Sequence, residues 1–297
     1  MPLASLNVSP DKRLNMHRTL PPAVTLAIGA RSGACVAARR KAMRGTGEPM
    51  GIANNRLGLS LIVLAVWTAI TIIGGAIGAG FNGSGTDPLG QGVHTAFVAA
   101  IVFLLGISFI CRWNDLGLNA PVSIRSLSVL WLPLVHIAFF CCVMMLFGVP
   151  APGVTASIFI NTLLIGISEE LMFRGILFKA LRSRCSIRST VLISSLLFGF
   201  VHLLNGLSTG FIAAIPQAIF TFCLGVLFIA VRIRTGSLYP VILLHAGWDF
   251  CIFMLDASPG GQLWSVTELY ILASVLPLYG LYLLRGSGTE PSNSGTA

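Results

Sequence analysis

Long apolar stretches separated by short polar loops make up most of the chain from residue 57 onward. A helix needs about 20 apolar residues to cross the hydrocarbon core of a bilayer, and on that criterion the pattern predicts eight spans. The predicted spans are 57–80, 93–111, 127–148, 154–178, 189–204, 211–231, 237–255 and 266–284. Gly, Pro, Asn and Ser cluster between them, as they do in turns and loops. The predicted fold class is therefore all-α, a polytopic membrane protein with about eight transmembrane helices.

The composition agrees with a membrane protein. Apolar residues make up 55% of the 297 residues and charged residues only 10%, whereas a soluble domain carries about 25% charged residues. Mean hydropathy is +0.86. The net charge of +9 comes without a basic patch interleaved with aromatic residues, so nucleic acid is not expected as a partner. The seven cysteines show no CxxC pair and no metal-type spacing, which favours small core residues over a disulfide framework.

Basic residues are confined to alternate loops. Lys and Arg occur nine times in residues 1–56, twice in 112–126, four times in 179–188 and twice in 232–236, and Arg285 follows the last span. The intervening loops carry none: 81–92, 149–153, 205–210 and 256–265. Because short cytoplasmic loops are enriched in Lys and Arg, this alternation predicts a multi-pass protein of the cell (inner) membrane. Both termini are then cytoplasmic, an N-in/C-in topology.

The same pattern divides the chain into five parts. Residues 1–56 are predicted to form a basic, disordered cytoplasmic tail; an amphipathic surface helix and a true start at Met43 or Met50 are the alternatives. The other predicted parts are three N-terminal helices at 57–148, a polar-bearing core at 149–256, a last transmembrane helix at 257–285 and a polar tail at 286–297.

Six ionisable side chains lie inside the apolar stretches of the core. They occur in GISEELMFRGILF, FGFVH and HAGWD and are Glu169, Glu170, Arg174, His202, His245 and Asp249. A charge at the centre of a bilayer costs about 3 kcal/mol on insertion scales and more in simulations. Such groups persist when they pair, face a wet cavity or take part in chemistry.

The first cluster combines a buried ion pair with a spare acid. Arg174 follows Glu170 by four residues, within reach along one helix face. Glu169 projects about 100° away and has no partner in its own helix. Burial shifts a carboxyl group toward the behaviour of a general base at neutral pH. A structural ion pair accounts for Glu170 and Arg174, whereas Glu169 is a candidate catalytic base.

The two histidine clusters are ambiguous when taken alone. His202 can be a hydrogen-bonded core residue, and His245 with Asp249 can be an interhelical clamp or two metal ligands. Counted from the basic ends of the predicted helices at 1.5 Å per residue, Glu169 lies roughly 15 Å deep, His202 roughly 20 Å and His245 roughly 12 Å. The three clusters are therefore predicted to share one layer of the membrane.

Together the three motifs are similar to those of a known family. Glu-Glu-x-x-x-Arg at 169–174, Phe-x-x-x-His at 198–202 and His-x-x-x-Asp at 245–249 occur in order, each on its own predicted helix. They resemble the CPBP family of intramembrane proteases, which comprises type II CAAX prenyl endopeptidases and bacterial bacteriocin-processing and immunity (Abi-like) relatives. The resemblance covers about residues 150–255, together with an eight-helix layout.

The resemblance implies an enzyme, a membrane-embedded CAAX-type endopeptidase with a cavity open to the cytoplasm. Glu169 would activate water with help from His202, and Glu170 and Arg174 would hold the site together. His245 and the residue at 249 would stabilise the oxyanion. The implied partners are the lipid bilayer and a protein or peptide substrate at the membrane, prenylated or not.

Asp249 departs from the family pattern, which often has Asn at this place. An ionised Asp repels an oxyanion, so Asp249 is expected to be protonated, to orient His245 or to bind a metal. The family is often described as metalloprotease-like, and a zinc site would use Glu169, His202, His245 and Asp249. No HExxH spacing exists, and glutamate-base chemistry needs no metal, so the favoured hypothesis has no cofactor and zinc is the alternative.

Two other functions remain open from the sequence. A proton- or ion-coupled transporter also uses intramembrane Glu, His and Asp, but it predicts an internal repeat that the chain does not show. A non-catalytic bacteriocin-immunity membrane protein would retain the six residues as structural clamps. The sequence does not name the substrate.

Overall fold

The computed structural model describes residues 55–81, 91–258 and 274–285. Within these ranges the secondary structure is helical and no strand occurs. The predicted tails at 1–54 and 286–297 lie outside the described residues, as do residues 259–273, which include the first part of the last predicted span, 266–284. The division into five parts and the N-in/C-in orientation stay predictions.

The helices follow the predicted spans closely. In chain order they are α1 (Arg56–Phe81), α2 (Gln91–Ile110), a 3₁₀ segment (Ile124–Leu130), α3 (Trp131–Phe147), α4 (Pro152–Glu170), a π segment (Leu171–Leu177), α5 (Phe178–Arg182), α6 (Ile187–Leu203), α7 (Gly206–Thr209), α8 (Phe211–Thr235), α9 (Tyr239–Ala257) and α10 (Val275–Leu283). Among the described residues, six helical stretches are long and apolar enough to cross a membrane, and α2 is a shorter apolar helix. The all-α, polytopic fold class is confirmed.

Two details differ from the predicted spans. The third span begins with the 3₁₀ segment rather than with α-helix. The fourth is longer than predicted, because α4, the π segment and α5 run on as one stretch, Pro152–Arg182. Pro152 begins this stretch at a position where its missing N–H leaves no helical hydrogen bond unmade.

Two glycines allow the core helices to approach closely. A Cβ atom on Gly166 of α4 would lie 3.1 Å from the backbone oxygen of Ile242 in α9. A Cβ atom on Gly199 of α6 would lie only 2.6 Å from the backbone oxygen of Ala218 in α8. Small residues at such contacts permit tight packing of helices in membranes. Glu169 and His202 each follow one of these glycines by three residues, so the close contacts fix the helices one turn before each side chain.

Basic residues gather at one end of the bundle, as the alternation of loops predicts. Arg56 at the start of α1 donates to Asp115 at 2.7 Å, and Lys179 of α5 lies 4.0 Å from the same carboxylate. Arg234 near the end of α8 donates to the Leu283 carbonyl oxygen at 2.7 Å. These contacts define what we call the basic end of the bundle.

The described cysteines are free, in agreement with the expectation that they do not form a disulfide framework. Cys35 lies outside the described residues. His136, in the middle of α3, bonds through Nδ1 with the Leu132 carbonyl oxygen of its own helix at 3.0 Å and takes no part in the polar cluster.

Candidate active site

The first part of the site is a fully buried ion pair. Arg174 Nη1 donates to Glu170 Oε1 at 2.8 Å, and both side chains have no exposed surface. The guanidinium also lies over the Phe198 ring, 4.0 Å from its centroid, and 5.1 Å from the Phe228 centroid. Stacking on aromatic faces compensates a desolvated cation in part. The pair predicted from the i,i+4 spacing is present, and aromatic side chains surround it.

His245 connects this pair to the rest of the site. Its Nδ1 donates to the same oxygen, Glu170 Oε1, at 2.8 Å. Its Nε2 faces Asp249 Oδ2 at 3.4 Å and Glu169 Oε2 at 3.8 Å. Since carboxylate oxygens face both ring nitrogens, the surroundings favour a ring that carries a proton on each. Asp249 therefore lies beside the His245 ring, and which of the three roles named above it has stays a prediction.

His202 has one ring nitrogen fixed by its own helix. The Phe198 carbonyl oxygen lies 2.8 Å from Nδ1, and a carbonyl only accepts, so Nδ1 carries the proton. Its Nε2 lies 3.7 Å from Glu169 Oε2. A neutral ring in this tautomer presents Nε2 as an acceptor toward Glu169.

Glu169 lies between the two imidazoles, with its side chain 10% exposed. Among the described residues, Glu169 Oε2 is buried without a hydrogen-bond partner. Its separations from the two Nε2 atoms exceed direct hydrogen-bond length, and polar contacts of this length are often bridged by water. The structure thus brings all six predicted residues together, with Glu169 separate from the ion pair.

Two connected cavities open from Glu169. The first, of about 210 Å³, we call the threonine lobe; it is lined in part by Trp67, Thr68, Thr71 and Ile72 of α1. The second, of about 250 Å³, we call the aromatic lobe; it is lined in part by Phe198, Phe220, Phe228 and Trp248. Both share Phe97, Glu169, His202 and Asn205.

The two lobes lie toward one end of the bundle, and the side of the membrane on which they open stays a prediction. The residues of the π segment beyond Glu170, toward the basic end, are all buried, as are 226–232 of α8. Exposed Asn205 and half-buried Gln217 line the lobes near the other end of the bundle. Packed side chains fill the basic half, so the cavity lies in the half away from the basic loops.

The π segment is a feature that the sequence did not reveal. It begins directly after Glu170 and contains Arg174, and all seven of its residues are buried. π turns inside α-helices occur frequently at functional sites. Here the segment follows the two acids, so Glu169 and Glu170 keep α-helical geometry while Arg174 is carried by the wider turn.

Several further residues of the site lie outside the three motifs. Trp67 Nε1 donates to the Ser168 hydroxyl at 2.8 Å, with both groups buried, which fixes the residue before Glu169. Asn205 donates to Gln217 Oε1 at 3.0 Å beside the cavity. A tryptophan N–H inside an apolar helix needs a hydrogen-bond partner, and this need was the sequence signal that could have indicated Trp67 as part of the site. Asn205 follows His202 by three residues, just beyond the end of α6.

The four residues proposed for zinc are close to one another but do not form a recognisable metal centre. Within the described ranges, no group of three or more His, Cys, Asp or Glu side chains is arranged to hold a metal ion. His245 Nδ1 donates to Glu170 Oε1, so Nε2 is the ring nitrogen that could reach a metal ion.

Comparison with known proteins agrees with the geometry. No curated protein matches the chain. Residues 151–251 match the family model of the Rce1-like, type II CAAX prenyl endopeptidases. The matched segment includes all six ionisable residues, with α4, the π segment, α6 and α9 as far as residue 251. This membrane protein is therefore similar to that family over residues 151–251, about a third of its length.

Proposed function

We propose that the protein is an intramembrane endopeptidase that hydrolyses a peptide bond of a membrane-associated protein or peptide. The observation that carries the proposal is the position of Glu169. Its Oε2 is buried, has no hydrogen-bond partner among the described residues and faces Nε2 of His202 and of His245 at 3.7 and 3.8 Å. An acid held between two imidazoles at the wall of a cavity has the components of a general-base site.

The attacking group in this proposal is a water molecule held by Glu169 and His202. The water donates one hydrogen to Glu169 Oε2 and the other to His202 Nε2, the acceptor left by the Nδ1 bond to Phe198. Both water hydrogens are then used, and its lone pairs point toward the substrate carbonyl. Glu169 takes up the proton as the C–O bond forms and passes it to the nitrogen of the leaving amine.

His245 is proposed as the donor for the oxyanion. Glu170 fixes the ring through Nδ1, and the surrounding carboxylates favour a second proton on Nε2, which can donate to the developing charge. Arg174 balances the charge of Glu170 without reaching the substrate. Asp249 orients His245 and does not itself bind the oxyanion.

We propose that the reaction needs no metal. A glutamate base and a protonated imidazole supply both functions that a zinc ion would serve, and the side chains at the site lack a metal-type arrangement. The metal-free reaction is supported if the purified protein contains no zinc by elemental analysis and retains full activity after exhaustive chelation. Loss of activity on chelation and its recovery with zinc would contradict it and leave the peptidase proposal standing.

A transporter has less support from the same geometry. The six ionisable residues lie on α4, the π segment, α6 and α9 and converge on one cluster, whereas a repeat-based transporter would draw its site from two related halves. A non-catalytic immunity protein would have the same arrangement of the six residues but would not hydrolyse peptides, so an activity measurement separates it from the peptidase.

The test uses purified full-length protein in detergent with a library of membrane-spanning peptides. Mass spectrometry should find two fragments whose masses sum to the substrate plus one water. The Glu169→Ala/His202→Ala double variant should give none, while Asp256→Asn, an exposed acid near the end of α9, should cleave at the wild-type rate. Equal cleavage by the double variant, or none by the wild type on prenylated and unprenylated peptides, would overturn the proposal.

A further inference from the structure

Asn205 and Gln217 are two amide side chains on the cavity wall that the proposed mechanism does not use. Asn205 lines both lobes, and Gln217 lines the aromatic lobe together with His245 and Asp249. Glu169 lines both lobes as well, so the two amides lie on the same cavity as the proposed base. The hydrogen bond from Asn205 to Gln217 Oε1, at 3.0 Å, joins the end of α6 to the second turn of α8.

Backbone contacts fix the position of Asn205. Its carbonyl oxygen accepts hydrogen bonds from the hydroxyls of Ser208 at 2.9 Å and Thr209 at 3.1 Å. A Cβ atom on Gly206 would lie 2.7 Å from the Cα atom of Phe211, so a side chain would not fit where the chain turns from α7 into α8. Asn205 is thereby held against the beginning of the helix that carries Gln217. Since the two positions are already ordered, a ligand that binds there would immobilise few further groups.

The Asn205 side chain does not cap the helix that it begins. Asn205 is the N-cap residue of α7, a position where Asn is favoured because its side-chain oxygen accepts from N–H groups of the first turn. Here the side chain makes no such bond. It donates to Gln217 instead, which leaves Oδ1 as an acceptor beside the cavity.

The joined amides carry the complement of one peptide unit. An amide side chain has one acceptor oxygen and two N–H donors, and the bond between the pair uses one N–H of Asn205 and the oxygen of Gln217. Asn205 Oδ1 can therefore accept from a peptide N–H, while Gln217 Nε2 can donate to a peptide carbonyl oxygen. An α-helix uses both of these backbone groups in its own hydrogen bonds, so the pair fits an extended segment rather than a helical one.

We propose that Asn205 and Gln217 bind the substrate backbone at one peptide unit near the scissile bond and hold that part of the substrate extended. The inference rests on the proposed peptidase function and adds a binding site for the substrate main chain to it. Neither residue touches the reacting atoms, so both are substrate-binding rather than catalytic residues.

The test measures peptide binding to Glu169→Gln protein, which needs no turnover. The probe is a fluorescein-labelled apolar peptide, selected from the membrane-spanning library by its binding to this protein, together with copies in which an ester oxygen replaces one backbone N–H at a time. One of these esters should raise the Kd by about 3- to 10-fold, because it removes one hydrogen bond. When Asn205→Ala is added to the protein, that ester should no longer change the Kd. When Asn114→Ala is added instead, at an exposed Asn beside Asp115, the ester should keep its full effect.

Gln217→Leu gives a second variant, because an ester carbonyl oxygen is a poorer acceptor and the effect of the ester should shrink there too. Ester effects that are the same with and without Asn205→Ala and Gln217→Leu would overturn the proposal, since a bond that only joins α6 to α8 predicts no such coupling. A Glu169→Gln protein that binds no peptide would overturn it as well. Hydrolysis by the wild type without the coupling would contradict this inference alone. The expected coupling without hydrolysis by the wild type would contradict the proposed function alone.

Discussion

Replacing Arg174 with Met should destabilise the fold strongly, because the change leaves Glu170 as a buried charge without its cation. Both side chains have no exposed surface, and their charged atoms lie 2.8 Å apart. Removing one partner of such a pair costs about 3–5 kcal/mol. The contact over the Phe198 ring, 4.0 Å from the guanidinium carbon, is lost as well and contributes about 2 kcal/mol when desolvated. We therefore expect the free energy of unfolding to fall by about 5 kcal/mol, the upper end of the range for breaking a buried ion pair.

A double-mutant cycle separates the charge pair from the packing. Glu170→Gln/Arg174→Met removes both charges, so it should be more stable than the sum of the single losses predicts, with a coupling of about 2 kcal/mol or more. The free energy of unfolding is measured in mixed micelles by titration with denaturing detergent, following helicity. Arg188→Met, an exposed control, should stay within about 0.5 kcal/mol of wild type. Additive single losses, or an Arg174→Met protein as stable as the control, would refute the interpretation.

Three further perturbations test other parts of the structure. Trp67→Phe removes the donor to Ser168, so kcat should fall severalfold with little change in KM, whereas Trp131→Phe at an exposed site should change neither. Gly199→Ala places a methyl group 2.6 Å from the Ala218 carbonyl oxygen and should cost about 1–3 kcal/mol, while Gly75→Ala, with open space around it, should be neutral or stabilising in the same unfolding assay. Burial alone would raise the pKa of Asp115, but the Arg56 hydrogen bonds and the charges of Arg56 and Lys179 outweigh it and lower that pKa below its ordinary value. Its stabilisation is then complete above a pH of about 4 and is lost as pH falls through the lowered pKa. Asp115→Asn should therefore reduce the loss of unfolding free energy as the pH falls below about 4. The same loss in the variant as in the wild type would contradict the lowered pKa of Asp115.

The helices and the six polar residues could be predicted because each leaves a local signal. An apolar run of sufficient length predicts a span, and an ionisable group inside it is energetically conspicuous. The i,i+4 spacing of Glu170 and Arg174 was enough to predict their ion pair. The contact of His245 with Glu170 was not predictable, because it depends on how closely α9 approaches α4, whereas Asp249 lies four residues along the same helix.

The cavity and its supporting residues could not be predicted, because both depend on contacts between helices that are distant in sequence. Trp67 lies about 100 residues before its partner Ser168, and an apolar helix with one tryptophan does not indicate what the N–H bonds. Which half of the membrane is hollow depends on side-chain packing between α2, α6, α8 and α9, which hydropathy does not describe. The resemblance therefore predicted the site residues, whereas the shape of the cavity that they line came from the structure.

The most direct test of the central claim is the rate of peptide hydrolysis by Glu169→Gln protein. The amide keeps the size of the side chain and removes the base, so kcat should fall by about 10²–10⁴-fold while helicity and thermal stability stay near wild type. Asp256→Asn, the same change at an exposed acid outside the cavity, should leave kcat unchanged. A folded Glu169→Gln protein that hydrolyses peptide within a few fold of the wild-type rate would contradict the assignment of Glu169 as the base.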